Sequence, residues 1–273
     1  MSSAGQSPAG SEPDRPDGPE DEDSHDDEHG VRLRLDPVDD PVEHLLRGEV
    51  EVEGRMPNSS NATMLVHVTH AGASHAAIYK PLRGERPLWD FEPGLHRREV
   101  ATYRLSEALG LGVIPPTVLR DGPLGEGSYQ WFVAADHRHH YFTILEEFPE
   151  THDALRDMAA LDVLANNTDR KSGHVLVIPG DDSSEPTVWG IDNGLCFSAE
   201  FKLRTVIWDF ADELLPEHVI DGANRLLDAV PIDVAALLSD DEVEAIQGRA
   251  AWMVKERRFP DDPSGRRWPW PLV

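Results

Sequence analysis

The chain has 273 residues, an apolar content of 39% and a formal net charge of -26 at pH 7. That length and apolar share suffice for one large domain or two lobes with a proper core, while the acidity opposes nucleic acid and anionic membrane as partners of the whole surface. No apolar run approaches the roughly 20 residues of a membrane span. The acidic N-terminus does not read as a signal peptide, and one cysteine, Cys196, permits no intrachain disulfide and fits a reducing, cytoplasmic setting.

Residues 1–32 are rich in Ser, Pro, Gly, Asp and Glu, a composition that buries too little apolar area to offset chain entropy, so they read as a disordered acidic tail. Val42–Arg47 follows as a short amphipathic helix. Gly48–Gly54 alternates like a half-buried strand, and Met64–Val68 is a second strand. Between them Arg55–Thr63 is a polar hairpin tip, which is either an ordinary turn or a loop that offers N–H groups and hydroxyls to phosphate.

Ala76–Pro81 reads as a third strand whose apolar run ends on Lys80, one of four lysines in a chain with 21 arginines. A compact point charge is the property that lysine has and arginine lacks. His96–Leu109 has apolar residues on one helical face and stops at Gly110. Glu99 near its start would either pair with Lys80 or favour the helix N-terminus. Strands are expected over Gly112–Leu119 and Ser128–Val133, and Asp136–His140 reads as a polar loop, since its histidines lack a second ligand cluster.

The apolar helix Met158–Ala165 leads into Asn166-Asn-Thr-Asp-Arg-Lys-Ser-Gly-His174, a polar loop, and Ile191-Asp-Asn-Gly-Leu195 follows after an apolar strand. Two carboxylates, Asp169 and Asp192, are thus bracketed by hydrophobic structure, and such groups need partners. Glu217–Leu227 and Pro231–Val254 read as helices, the second interrupted near Leu238. Arg266–Pro271 reads as an extended tail docked through Trp268 and Trp270.

A phosphate-covering hairpin, a strand lysine, a helix glutamate, a catalytic-loop aspartate and a metal aspartate, in that order, are the parts that phosphoryl transfer needs. Through Gly127–Val133, Asn167-Thr-Asp-Arg170 and Ile191-Asp-Asn-Gly-Leu195 the chain resembles the phosphatidylinositol 3-/4-kinase-like family, and within it the type II phosphatidylinositol 4-kinases, over roughly residues 48 to 200. The resemblance implies an α+β, two-lobed protein-kinase-like fold, with a small antiparallel β-rich N-lobe over 33–133 and a mainly helical C-lobe over 134–273. It implies ATP and Mg2+ or Mn2+ as cofactors and a hydroxyl acceptor on a lipid, a small molecule or a protein.

By the same resemblance Ser59, Ser60 and Asn61 lie over the phosphates, Lys80 touches them and Glu99 holds Lys80. Phe132 and Val133 form the adenine-facing hinge, Asp169 serves the acceptor hydroxyl, and Asp192 binds metal. His174 stands where the family places a metal-binding asparagine, and imidazole suits magnesium less well than an amide oxygen does. Either Asn193, next to Asp192, compensates as a ligand, or the site prefers manganese. Arg170, Lys171, Lys202 and Arg204 either steer an anionic acceptor or are solvated surface charges. His174 also keeps open a nucleotide-binding pseudokinase, and AMP transfer on the same fold is a second alternative.

Overall fold

A computed structural model describes residues 33–57, 59, 61–181 and 183–272. The acidic segment 1–32 and Ser60 lie outside the described residues, as do the readings made for them. Helix α1 (Pro41–Arg47) opens the ordered chain, with Pro41 in its first turn and the Asp40 carboxylate accepting from the Glu43 N–H at 2.9 Å. Strands β1 (Glu49–Arg55), β2 (Met64–His70), β3 (Ala73–Pro81), β4 (Thr117–Gly122) and β5 (Gly125–Trp131) form one antiparallel sheet in the order β1-β2-β3-β5-β4.

β2 and β3 bury near-continuous runs because they lie inside the sheet, whereas edge strand β1 is mostly exposed. Val66, Val68, Ala77, Tyr79 and Tyr129 build the small core on this sheet, and the rings of Tyr79 and Tyr129 stack at 4.3 Å. The expected strand over Gly112–Leu119 begins five residues late. Gly112 sits in the left-handed region (φ 62), and Pro115 and Pro116 lack the N–H groups a ladder needs.

Helix α2 (Leu95–Leu109) lies between the sheet and the helical body. Its start is held by Glu85, whose carboxylate accepts from the N–H groups of Gly94 (2.8 Å) and His96 (2.9 Å) and meets the His96 ring at 2.8 Å. Its outer face is tied to the helical body. Arg98 donates to Glu242, and Arg104 donates to the Asp233 carbonyl at 2.7 Å.

That body consists of α3 (Tyr141–Glu147), α4 (His152–Ala165), the hairpin β6 (Val175–Ile178) and β7 (Thr187–Gly190), and then α5 (Glu217–Asp228), α6 (Ile232–Ala235) and α7 (Asp240–Glu256). α4 begins earlier than its apolar run because His152–Asp157 form a half-solvated first turn. The break near Leu238 is the Ser239 cap of α7, where Ser239 and Glu242 exchange hydrogen bonds. Leu155, Met158, Leu161 and Leu164 of α4 centre the larger core, which also takes in Val175, Val188 and Phe210. Gly190 is held to glycine by close packing, since a Cβ there would stand 3.2 Å from Met158 and Ile114.

Candidate active site

β3 places Lys80 opposite Ser128 of β5 and aims its ammonium at the helical body. Lys80 Nζ donates to Glu99 Oε1 of α2 and, at 2.7 Å, to Asp192 Oδ1. The second oxygen of Glu99 accepts from the Asn193 N–H at 2.9 Å, so the glutamate binds the lysine and the backbone beside Asp192 at once. Burial draws the Lys80 pKa down, but Asp192 and Glu99 outweigh it and raise it above the ordinary lysine value. The ammonium is therefore a fixed charge at neutral pH.

Asp192 adopts φ 57, a left-handed conformation that aspartate accepts more readily than most non-glycine residues. Protein groups crowd its carboxylate, yet half of the side-chain surface remains open to solvent, so a ligand can reach it. Lys80 first of all, and His174 more weakly, hold its pKa below the carboxylate range. His174 Nε2 lies 3.4 Å from Asp192 Oδ2. Burial lowers the His174 pKa to about 4 against the upward pull of Asp192, which leaves the imidazole neutral at pH 7, its Nδ1 accepting from the Lys171 N–H at 3.4 Å.

The loop that carries Asp169 starts where α4 ends on Asn166 in the left-handed region (φ 50). Asn166 donates to the carbonyls of Ser198 (2.8 Å) and Glu200 (2.7 Å) and accepts from the Lys202 N–H (2.9 Å), tying the segment after Asp192 to the helix end. The Asp169 N–H donates to Asn167 Oδ1 at 3.0 Å, and Lys171 Nζ meets Asp169 Oδ2 at 3.0 Å. Burial raises the Asp169 pKa, and Lys171 offsets part of that rise.

Beneath the loop Arg170 is fully buried. Its guanidinium donates to both oxygens of Asp162, to Asn193 Oδ1 at 2.6 Å and to the Ile191 carbonyl at 2.8 Å. Two expectations change here. Arg170 does not face an acceptor but joins the Asp169 loop to the Asp192 loop. Asn193 is also buried, with its amide oxygen taken by Arg170 and its NH2 on the Gly190 carbonyl, so it is no substitute metal ligand. Sequence reasoning did not single out Asp162, although a carboxylate within the apolar run Met158–Ala165 signals a buried partner. Arg249 was missed too; from α7 it donates to the Leu164 carbonyl at 2.8 Å.

Ser59 Oγ donates to Thr63 Oγ1 at 2.7 Å, and Asn61 Oδ1 accepts from the Arg86 N–H at 3.0 Å, so both side chains are tied within the hairpin tip and the turn it packs on. At the end of β5 the Phe132 N–H is used on the Ala76 carbonyl (3.2 Å), and its own carbonyl meets the His75 ring at 3.4 Å. Of the two expected hinge residues Phe132 is thus turned into the sheet. Val133 begins the crossing segment, its carbonyl accepting from the Ala135 N–H at 2.9 Å.

Lys202 pairs with Asp90 (3.6 Å) and Glu200 (3.4 Å), whereas Arg204 is exposed and near enough to Asp169 to favour its charged form. Cys196 is buried, and burial pushes its thiol up to about 12, which suits a small apolar core residue. Among the described residues no three His, Cys, Asp or Glu side chains cluster as a metal cage. No described helix is long and apolar enough to cross a membrane.

A five-stranded antiparallel sheet whose lysine reaches a helix glutamate, above a helical body that carries two loop carboxylates, is a protein-kinase-like fold of the α+β class. The hydra Fam20 structure with sugar is similar to it, with a TM-score of 0.51 and 14% identity, covering 83% of this chain and 91% of that one. The Helicobacter pylori proinflammatory kinase CtkA matches with a TM-score of 0.47 and 11% identity over 79% of this chain and 94% of that one. No family model matches the chain. The chain belongs to the same family as Protein Rv2133c of Mycobacterium tuberculosis (strain ATCC 25618 / H37Rv), to which it is 35% identical over 270 residues, 85% of this chain and 95% of that protein.

Proposed function

We propose that this protein is an ATP-dependent phosphotransferase that moves the γ-phosphate of ATP to a hydroxyl acceptor. The observation that carries this reading is Lys80 held by Glu99 on one side and by Asp192 on the other. A cation fixed between a helix glutamate and a solvent-reachable aspartate suits the phosphates of a nucleotide. The Asn167-Thr-Asp-Arg170 and Ile191-Asp-Asn-Gly-Leu195 motifs favour the finer assignment to a phosphatidylinositol 3-/4-kinase-like group, and the single buried cysteine suits a cytoplasmic setting.

In the proposed reaction the acceptor oxygen attacks the γ-phosphorus, the bond to the β–γ bridging oxygen breaks, and ADP leaves with that electron pair. The acceptor proton passes to Asp169. Lys171 occupies one of its oxygens, leaving the other for the hydroxyl. Adenine would meet the backbone from Val133 onward, since Phe132 faces the sheet. Lys171 and the exposed Arg204 lend positive charge beside Asp169, which favours an anionic acceptor, while the net charge of -26 disfavours one embedded in an anionic membrane.

A divalent cation fits the donors that are present. Asp192 and His174 face one another, and a cation that draws its other ligands from phosphate oxygens and water needs no larger protein cage. These two side chains would hold it, and its chemistry there would be to neutralise phosphate charge. An imidazole donor favours Mn2+ over Mg2+.

The test is ATP with Mn2+ or Mg2+, wild type against Asp169→Asn, followed by nucleotide thermal shift and by the mass added to product. Turnover should fall by about 10²–10⁴ in the variant while the shift remains. Nucleotide binding by wild type without any turnover would make the protein a pseudokinase, and an added mass of AMP would make it a nucleotidyl transferase.

A further inference from the structure

Beyond α7 the chain stays on the molecule. Asp262 organises a turn, its carboxylate accepting from the Arg267 N–H at 2.8 Å and from the Ser264 hydroxyl. The Arg267 carbonyl then accepts from the Thr205 N–H (3.2 Å) and the Trp208 indole N–H (3.2 Å), and the Arg267 guanidinium lies over Phe201 at 5.2 Å. The Leu272 carbonyl accepts from both the N–H (2.8 Å) and the hydroxyl (2.9 Å) of Ser172, which is fully buried.

The expected mode of docking is therefore corrected. Trp270 is 88% exposed and Trp268 is also exposed, while the contacts are made by the buried Pro269 and by the carbonyls of Arg267 and Leu272. Main-chain contact follows from the prolines. A segment that cannot join a sheet ladder still has free carbonyls, and here they point at donors of the body.

Those donors are not at random places. Ser172 lies three residues after Asp169 and two before His174, and Thr205 belongs to the segment that pairs with the same loop. The Arg170 N–H donates to the Arg204 carbonyl (3.1 Å), and the Val206 N–H donates to the Arg170 carbonyl (3.1 Å). The tail is thus an outer layer over two loop segments, and one of them carries the proposed base. A loop of this kind has no ladder of its own beyond a single 3-10 turn at Ser172–His174, so outside contacts decide how often it opens.

We infer that Arg266–Leu272 is a strap that positions the loop bearing Asp169, making this segment part of the acceptor side of the site. Trp208 and Ser172 are positioning residues in this scheme. The effect on turnover rests on the phosphotransferase reading, and the effect on loop opening does not. Lys80, Glu99 and the hinge make no contact with the strap among the hydrogen bonds and ion pairs of the described residues, so nucleotide binding is expected to be independent of it.

The experiment uses the full chain with Asp262→Ala and Trp208→Phe, singly and together, and Ser172→Ala as a separate variant at the other end of the strap. Hydrogen exchange is followed over residues 166–176 and 203–208, with ATP turnover and nucleotide thermal shift measured on the same samples. In the double variant the Ser172 and Thr205 amides should exchange roughly tenfold faster or more. kcat should fall by a similar factor, with KM for ATP and the thermal shift unchanged. Ser172→Ala should lower kcat in the same way, and Ser172→Thr, which keeps the hydroxyl, should recover it. Unchanged exchange in the double variant overturns the strap, as does faster exchange with unchanged kcat. If wild type shows no nucleotide-induced shift, the phosphotransferase reading falls, and the exchange comparison alone decides whether the strap holds the loop.

Discussion

Lys80 and Asp192, 112 residues apart, meet at 2.7 Å across the space between the sheet and the helical body. The same ammonium is bound by Glu99, so a single cation joins a strand, a helix and a loop. Lys80→Met should leave two carboxylates facing each other and remove the charge proposed to meet phosphate. Nucleotide affinity is expected to weaken by about tenfold or more, which is ~1.4 kcal/mol. Calorimetric titration of ATP into the variant checks this, and an unaltered affinity would take Lys80 out of the site.

Asp169 is raised by burial and held partly down by Lys171. Lys171→Met removes the lowering partner, so the carboxylate should protonate at higher pH than in wild type. A base must be deprotonated to accept the acceptor proton. The acid limb of the kcat profile should therefore move upward in pH in the variant, and a limb that stays in place would show that Asp169 does not govern turnover.

Arg170 gives a stability prediction. Breaking a buried ion pair from one side leaves an uncompensated charge, at a cost of about 3–5 kcal/mol. Arg170→Met should show a loss of that order in urea unfolding, because Asp162 and the Asn193 amide both lose their donor. A loss below about 1 kcal/mol would mean that the pair contributes no more than a surface bridge.

Glu85 tests the start of α2. Burial pushes its carboxyl upward, but the His96 ring and the N–H groups of Gly94 and His96 bring it down to about 2, below the ordinary 4.5. A depressed carboxylate stabilises the fold above its unfolded pKa, and that contribution fades as pH falls through the folded one. Glu85→Gln should cost about 1.5–3 kcal/mol at neutral pH. Stability curves of variant and wild type should converge as pH drops from 4.5 toward 2; a gap that persists at pH 2 would point to packing instead of charge.

Much of the scaffold is legible in the sequence for physical reasons. An apolar run that ends on Lys80 marks β3, and Glu99 stands one turn into a helix with a clear glycine stop, so their meeting can be anticipated from order alone. The helix break at Ser239 is written in its capping residues. Other features depend on tertiary context that no local pattern encodes. Arg170 looks like a surface charge until the fold buries it against Asp162, and Asn193 looks free until Arg170 takes its oxygen. Nor does Phe132 reveal by its type that its N–H turns back to Ala76. The tail misled because tryptophan is the usual anchor, whereas here carbonyls and Pro269 do the docking.

The fastening of α2 to α7 and to the Asp233 carbonyl has a bearing on how nucleotide would be received. A helix joined to the helical body through Arg98 and Arg104 holds Glu99 in place before any nucleotide arrives. Its ordering entropy is spent during folding and not at each encounter, which is preorganisation of the receiving charge. The start of the same helix is fastened to the sheet as well, where Arg97 and His96 meet Glu126 of β5, so one rigid element carries Glu99 between the sheet and the helical body.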